Sequence, residues 1–264
     1  MAKLCPLFSG SSGNSYYIEA SGSGILVDAG RSAKQIENAM RANELDIKRV
    51  QAIFVTHEHS DHIKGVRVLA SRYHIPVYSS QGTLEGMEEA GALSEKFSAD
   101  VIGWEGMEIA NMRVVPFRTP HDSRESIGFC IHTPDGRKIA IATDLGYFSE
   151  IVFEAVSGCD IAVIESNHDV RMLQNGFYPY YLKRRILSKQ GHLSNEACAG
   201  ELPAFAQSGT TRFVLAHLSQ ENNIPELAYQ TALCSLQACG MKQGLDFELM
   251  VAPRENIGGH TILF

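Results

Sequence analysis

Apolar positions along the chain follow two periods, and each predicts a different element. Short apolar or alternating runs bounded by glycine, proline and small polar residues predict strands. The first of these are Lys3–Phe8, Asn14–Glu19, Gly24–Asp28, Val50–Thr56, Pro76–Ser79, Arg113–Arg118, Ile127–Thr133 and Lys138–Thr143. Further strands are predicted at Asp160–Glu165, Arg212–Ala216, Phe247–Ala252 and His260–Phe264. Helical spacing is read at Ile63–Tyr73, Thr83–Ala90, Phe148–Val156, Tyr180–Ser188, Asn195–Gln207 and Pro225–Ala238. Another helix begins at Ser32, where Ser32 and Gln35 have capping-box spacing. Pro203 has no N–H to donate and is expected to end or kink its helix. The segments MKQGLDFELMVA and HTILF are expected to close the second of two sheets.

Hairpin-like strands come first, strand–helix alternation follows, and no Pro/Gly/Ser linker divides the chain. QAIFVTHEHSDH and TRFVLAHLSQENN both read strand, histidine, polar loop, helix. Such an echo implies two sheets that deliver polar side chains to one edge, where α/β architectures place their sites. The expectation is a single domain over residues 1–264, of α/β (α+β) class, arranged as an αββα four-layer sandwich.

Composition narrows the function. With 264 residues, 44% of them hydrophobic, the chain can bury a sizeable core. Its formal charge of -7 argues against coating nucleic acid by net charge alone, though not against a locally basic groove. No apolar run approaches the roughly 18 residues of a membrane span, and the opening residues lack a signal peptide's apolar core and cleavage site. Six scattered cysteines without a CxxC pair are expected to be buried free thiols of a reducing cytoplasm.

The densest chemistry is THEHSDH, residues 56–62, at the end of an apolar strand. Side chains alternate along a strand, so His57 and His59 share a direction, while Asp61 and His62 follow at the turn into a helix. Imidazole and carboxylate suit zinc and other first-row ions; the lack of nearby thiols favours an open two-metal site over a closed structural zinc. A solvated loop is the bland alternative, but loops rarely use three histidines. More candidate ligands stand at later strand ends: His121 closing RVVPFRTPH, Asp144 closing KIAIATD and His217 closing RFVLAH. Singly these read as a turn residue, a helix N-cap and a core histidine. Beside the THEHSDH cluster they read as metal ligands.

Here the sequence resembles the metallo-β-lactamase-fold hydrolases, whose H-x-H-x-D-H motif is matched by His57, His59, Asp61 and His62. The resemblance implies one metal held by His57, His59, His121 and Asp144, and a second held by Asp61, His62, His217 and the bridging Asp144. An Asp, not a thiolate, at position 144 favours the hydrolase and phosphodiesterase branches. LFSGSSGNSYYIE, ESNHD, KRRILSKQGHLSN and LAHLSQENN look like the YycJ/WalJ group of bacterial proteins. That likeness implies a cytoplasmic 5'-3' DNA exonuclease using two divalent ions (Zn²⁺, Mn²⁺ or Fe²⁺) on single-stranded or end-containing DNA. The catalytic roles fall to Asp61 and to His192, which stands where related phosphodiesterases place a phosphate-contacting histidine.

Other residues bear on the substrate. Tyr178–Arg185 interleaves aromatic and basic side chains, so Tyr181, Lys183, Arg184 and Arg185 are candidate contacts to a single strand, with phosphates on cations and bases on rings. An amphipathic helix with a charged outer face explains the same residues. The GSSGNS turn, with Ser12 and Asn14, is a candidate phosphate or site contact, and His168 a candidate support for a ligand. A small-molecule hydrolase of thioesters, lactones or cyclic phosphates is the alternative within the fold. A non-catalytic metal-binding regulator is the alternative outside enzymes.

Overall fold

The computed structural model describes residues 2–264, which contain mixed strands and helices whose strands form two sheets of seven. Contacts divide the chain into two compact units. The first holds the chain up to Pro116, Ser123–Arg137 and Pro253–Phe264; the second holds Phe117–Asp122 and Lys138–Ala252.

In the first unit come β1 (Lys3–Phe8), β2 (Ser15–Ala20), β3 (Ser23–Val27), α1 (Ala33–Ala42), β4 (Val50–Phe54), α2 (Ser60–Ile63) and α3 (Val66–Tyr73). There follow β5 (Val77–Ser79), α4 (Gln81–Glu89), β6 (Ala99–Val101), β7 (Met107–Ile109), β8 (Met112–Arg118, its last two residues assigned to the second unit) and β9 (Ile127–His132). β1 to β3 pair antiparallel, and β3 to β6 pair parallel. The predicted capping box forms: Ser32 and Gln35 satisfy each other's backbone N–H at the start of α1. That helix buries Ala33, Ile36, Ala39 and Met40 in a core shared with Leu26, Ile53, Val66 and Leu69. Where one helix is predicted over Ile63–Tyr73, the chain makes two, broken at Gly65. Its N–H donates to Ala29 O at 2.8 Å, and a Cβ there would lie 2.1 Å from Arg31 O. The short β6 and β7 carry no legible alternation in the sequence; only their neighbours make them strands.

The second unit contains β10 (Lys138–Ala142), α5 (Glu150–Val156), β11 (Ile161–Glu165), α6 (Val170–Asn175), α7 (Tyr180–Ile186), α8 (Asn195–Gln207), β12 (Arg212–Ala216), α9 (Pro225–Ala238) and β13 (Glu248–Val251). β10 to β13 run parallel, and the nearly continuous burial of the first three is that of strands covered on both faces. α8 does not end at Pro203. The proline leaves Ala199 O without its i+4 donor, and Ser235 Oγ of α9 donates to that carbonyl at 2.7 Å.

Two further expectations are corrected. HTILF closes the first sheet, not the second: β14 (Ile262–Leu263) pairs antiparallel with β1. The approach is fixed by Asn256, whose N–H donates to Leu7 O at 2.9 Å and whose Nδ2 donates to Pro6 O at 3.0 Å. All six cysteines are free, but only Cys5, Cys130, Cys159 and Cys198 are buried. Cys234 and Cys239 are exposed around the end of α9.

Candidate metal centre

In the first unit the site is built where β3 and β4 end side by side. Asp28 follows β3 with φ at 62°, a left-handed conformation that is rare outside glycine and turns its side chain toward the end of β4. Its carboxylate accepts from Thr56 N at 2.8 Å and binds His62 Nδ1 at 2.8 Å. A carboxylate only accepts, so Nδ1 of His62 carries the hydrogen and Nε2 keeps its lone pair for a metal. Thr56 Oγ1 also reaches His57 Nδ1 at 3.0 Å, which turns Nε2 of His57 the other way. That nitrogen lies 3.1 Å from His59 Nδ1. Two nitrogens on one tetrahedral zinc, each about 2.05 Å from it, stand roughly 3.3 Å apart. The pair therefore fits two ligands of one ion.

Asp61 opens α2 beside His62, with Oδ2 at 3.6 Å from His62 Nε2. Asn14 joins them: Nδ2 lies 3.0 Å from His62 Nε2, and its N–H donates to Asp61 O at 2.8 Å. Gly30 lets the Asp61 backbone come this close, since a Cβ there would stand 1.7 Å from Asp61 O. Ser12 is exposed and accepts from Arg31 at 2.7 Å.

In the second unit Asp144 and His217 follow β10 and β12 with φ of 58° and 55°. Two non-glycine residues in left-handed geometry, both after buried parallel strands, mark a constrained site. Ligand atoms of Asp144, Glu165, His192 and His217 all lie within 4.8 Å of one another. Fully buried Glu165 organises them. Its Oε1 accepts from His217 Nδ1 at 2.7 Å and His192 Nδ1 at 2.8 Å, while Oε2 accepts from the N–H groups of Leu145 and Leu193 at 3.0 Å each. Burial alone would raise this carboxyl, but the His192 and His217 imidazoles hold it well below the usual carboxylate range. His217 thus presents Nε2 with its lone pair, as a ligand must. His121 donates Nδ1–H to Gly191 O at 3.1 Å, and its Nε2 stands 3.8 Å from Asp144 Oδ1. Burial pushes the His121 imidazole below its ordinary value, against the pull of Asp144, which favours the neutral form that a metal binds. In both units the donor set and its buried anchors fit divalent metal ions, and in the first the His57–His59 nitrogen spacing does so too.

The remaining candidates divide. Lys183 is tied to the Gln174 and Gly176 carbonyls at 2.8 and 2.7 Å, and Arg185 is paired with Asp122, so both brace the chain. Arg184 is exposed, with its guanidinium 5.9 Å from the centre of the Tyr180 ring; Tyr181 is exposed as well. His168 is buried and hydrogen-bonds none of the ligand residues; neither ring nitrogen has a hydrogen-bond partner among the described residues. Burial lowers its pKa to about 4, only partly offset by Glu165. Sequence reasoning missed Asp28 and Glu165, although each closes an apolar strand with a carboxylate, the same signal that marks Asp144.

A family match now bears on this geometry. The Beta-lactamase superfamily domain matches residues 24–218, from β3 through His217. The chain belongs to the β-lactamase superfamily. Within it the chain is 40% identical over 246 residues to Exodeoxyribonuclease YycJ of Bacillus anthracis, covering 92% of each. It is 38% identical over 250 residues to Exodeoxyribonuclease WalJ of Streptococcus pneumoniae, covering 94% of this chain and 93% of that one. These likenesses make it a member of the YycJ/WalJ group. Its fold is that of the metallo-β-lactamase fold protein YhfI from Bacillus subtilis, with a TM-score of 0.72 at 14% identity over 96% of this chain and 97% of that one. Among the described residues of this superfamily member, no helix is long and apolar enough to cross a membrane.

Proposed function

We propose that this chain is a dinuclear-metal-dependent phosphodiesterase that acts as a 5'-3' exonuclease on single-stranded or end-containing DNA. The observation that carries the reading is the Glu165 fork, in which one buried carboxylate holds a ligand histidine, His217, and a second histidine, His192, side by side. A centre that needed only metals would have no use for the second arm. Phosphodiester cleavage does have a use for it, because the leaving oxygen must be protonated or its charge stabilised. DNA as substrate is supported by the names of the two exodeoxyribonuclease relatives.

In this reading His57, His59, His121 and Asp144 would hold one ion, and Asp61, His62, His217 and Asp144 would hold the other. When bound, two such ions supply an activated water at neutral pH and neutralise charge on the phosphoryl oxygens. Asp61 orients the attacking water, and Asn14 keeps Asp61 and His62 in register. His192, its Nδ1 anchored on Glu165, uses the opposite nitrogen, Nε2, to stabilise or protonate the leaving oxygen. Zn²⁺, Mn²⁺ and Fe²⁺ all suit these ligands.

Purified protein with Mn²⁺ or Zn²⁺ should shorten end-labelled DNA stepwise from the 5' end. His192→Ala should slow this by roughly 10²–10⁴ while metal content stays at the wild-type level. With an ester bearing a good leaving group the loss should be much smaller, since such a group departs unprotonated. Near-normal DNA cleavage by the variant would remove His192 from the chemistry. Activity on thioesters or lactones with none on DNA would favour the small-molecule hydrolase reading.

A further inference from the structure

The turn between α6 and α7, with the first residues of α7, exposes aromatic rings to a degree unusual for a folded chain. Phe177 is 106% exposed, Tyr180 75% and Tyr181 74%. Single exposed apolar residues need no explanation, but three exposed rings within five positions of one short segment call for one. The patch is also held firmly. Lys183 donates to Gln174 O and Gly176 O, closing the turn just before Phe177. Gly176 packs so tightly that a Cβ would meet Asn222 Oδ1 at 2.7 Å and Met172 O at 2.8 Å.

The same segment is bolted to ligand-bearing turns of its own unit. Arg185 pairs with Asp122, next to His121, and Asp122 N–H donates to Gln190 O at 3.0 Å. A Cβ on Gly146, two residues after Asp144, would stand 2.3 Å from the Lys189 backbone. Strand held on the aromatic turn would therefore be held by a segment in direct contact with the residues flanking His121 and Asp144.

Charge selects the occupant. From Val170 to Asn195 the chain carries Arg171, Lys183, Arg184, Arg185 and Lys189 and no carboxylate, although its net charge is -7. A polyanion complements such a stretch. Lys183 and Arg185 are spent on bracing; of the remaining Arg171, Arg184 and Lys189, Arg184 has its guanidinium beside the Tyr180 ring, placed to meet a phosphate next to a stacked base. The rings need flat apolar faces, and unpaired nucleobases supply them; a duplex hides its base faces everywhere except at its end.

We infer that Phe177, Tyr180 and Tyr181 form a stacking ridge for unpaired bases of the strand entering the metal centre, with Arg184 on the adjoining phosphate. The inference rests on the nuclease reading and narrows it: the chain grips single strands, overhangs or frayed ends by their bases, and a blunt duplex only after it opens.

The test compares a short labelled single strand, made uncleavable by phosphorothioate linkages, with the same strand carrying abasic spacers instead of bases. Wild-type protein should bind the base-bearing strand more tightly by roughly 5- to 150-fold per stacked base, the equivalent of about 1–3 kcal/mol. In Phe177→Ala/Tyr180→Ala/Tyr181→Ala that preference should fall to about twofold or less, the loss expected when the stacking rings are gone. Hydrolysis of a small chromogenic phosphodiester should remain at the wild-type rate, a readout that a damaged fold or centre would move. Equal affinity of wild type for both strands would overturn the inference, as would a triple variant that keeps the preference. So would a triple variant that loses binding only to anionic phospholipid vesicles. If wild type fails to shorten end-labelled DNA with Mn²⁺ or Zn²⁺, the nuclease reading falls, and base-dependent affinity still decides the ridge.

Discussion

Replacing Glu165 with glutamine changes one atom in a fully buried position, yet it should disable the centre. The carboxylate accepts four hydrogen bonds, two from imidazole Nδ1–H groups and two from backbone N–H groups. An amide keeps one accepting oxygen, and its NH₂ end can only donate. If NH₂ faces the backbone, the N–H groups of Leu145 and Leu193 lose their acceptor. At about 1–3 kcal/mol for each stranded buried donor, the cost is about 2–6 kcal/mol of stability. If NH₂ faces the rings, both imidazoles must shift tautomer. That puts a hydrogen on Nε2 of His217, where a metal needs a lone pair. Either way the variant should bind metal about 10- to 100-fold more weakly, as is typical when the anchor of a ligand is removed. Competition against a chromogenic chelator would measure that affinity, and calorimetry the stability. A Glu165→Gln protein with wild-type metal affinity, stability and DNA cleavage would refute the reasoning, because the fork would then orient nothing.

Asp144→Ala should abolish turnover and lower bound metal at both positions, and two full equivalents by elemental analysis would dismiss the bridging role. His217→Ala should deplete one equivalent preferentially, since in the proposed arrangement the other ion would keep His57, His59 and His121. Gly30→Ala forces a Cβ to within 1.7 Å of Asp61 O, so it should lower Tm and metal content together; unchanged values would mean the loop yields freely. His168 should make the metal-free protein acid-sensitive. Its folded pKa of about 4 lies below the free value of 6.5, so between them the unfolded chain takes up a proton that the folded one refuses. Stability should therefore fall as pH drops from 6.5 toward 4, by up to about 3 kcal/mol. Denaturant titrations of His168→Gln should lack that slope, and an equal slope would assign it to other groups.

The sequence by itself marked most of the candidate metal ligands. His57, His59, Asp61 and His62 lie within six positions, so they emerge close together between the end of β4 and the start of α2. His121, Asp144 and His217 announce themselves as polar residues closing apolar strands. The capping box at Ser32 is equally local, and it formed as read.

Tertiary structure alone decided the roles that depend on distant segments. Glu165 is an anchor because β11 lies beside β12, bringing its carboxylate to His217, and because the loop before α8 brings His192 to the same oxygen. Lys183 looked like a phosphate contact until Gln174 and Gly176 claimed its ammonium, and Arg185 until Asp122 claimed its guanidinium. From the sequence Pro203 is expected to end or kink its helix; the helix runs on past it, and a hydroxyl from α9 satisfies the carbonyl it strands. HTILF carries a strand's composition with nothing to say which edge it joins; Asn256, gripping β1, made that choice. Local pattern fixes the donors and ligands a residue can offer. Which partner takes up the offer is settled by groups far away in sequence, because a buried polar atom is stable only once some segment has brought it a partner.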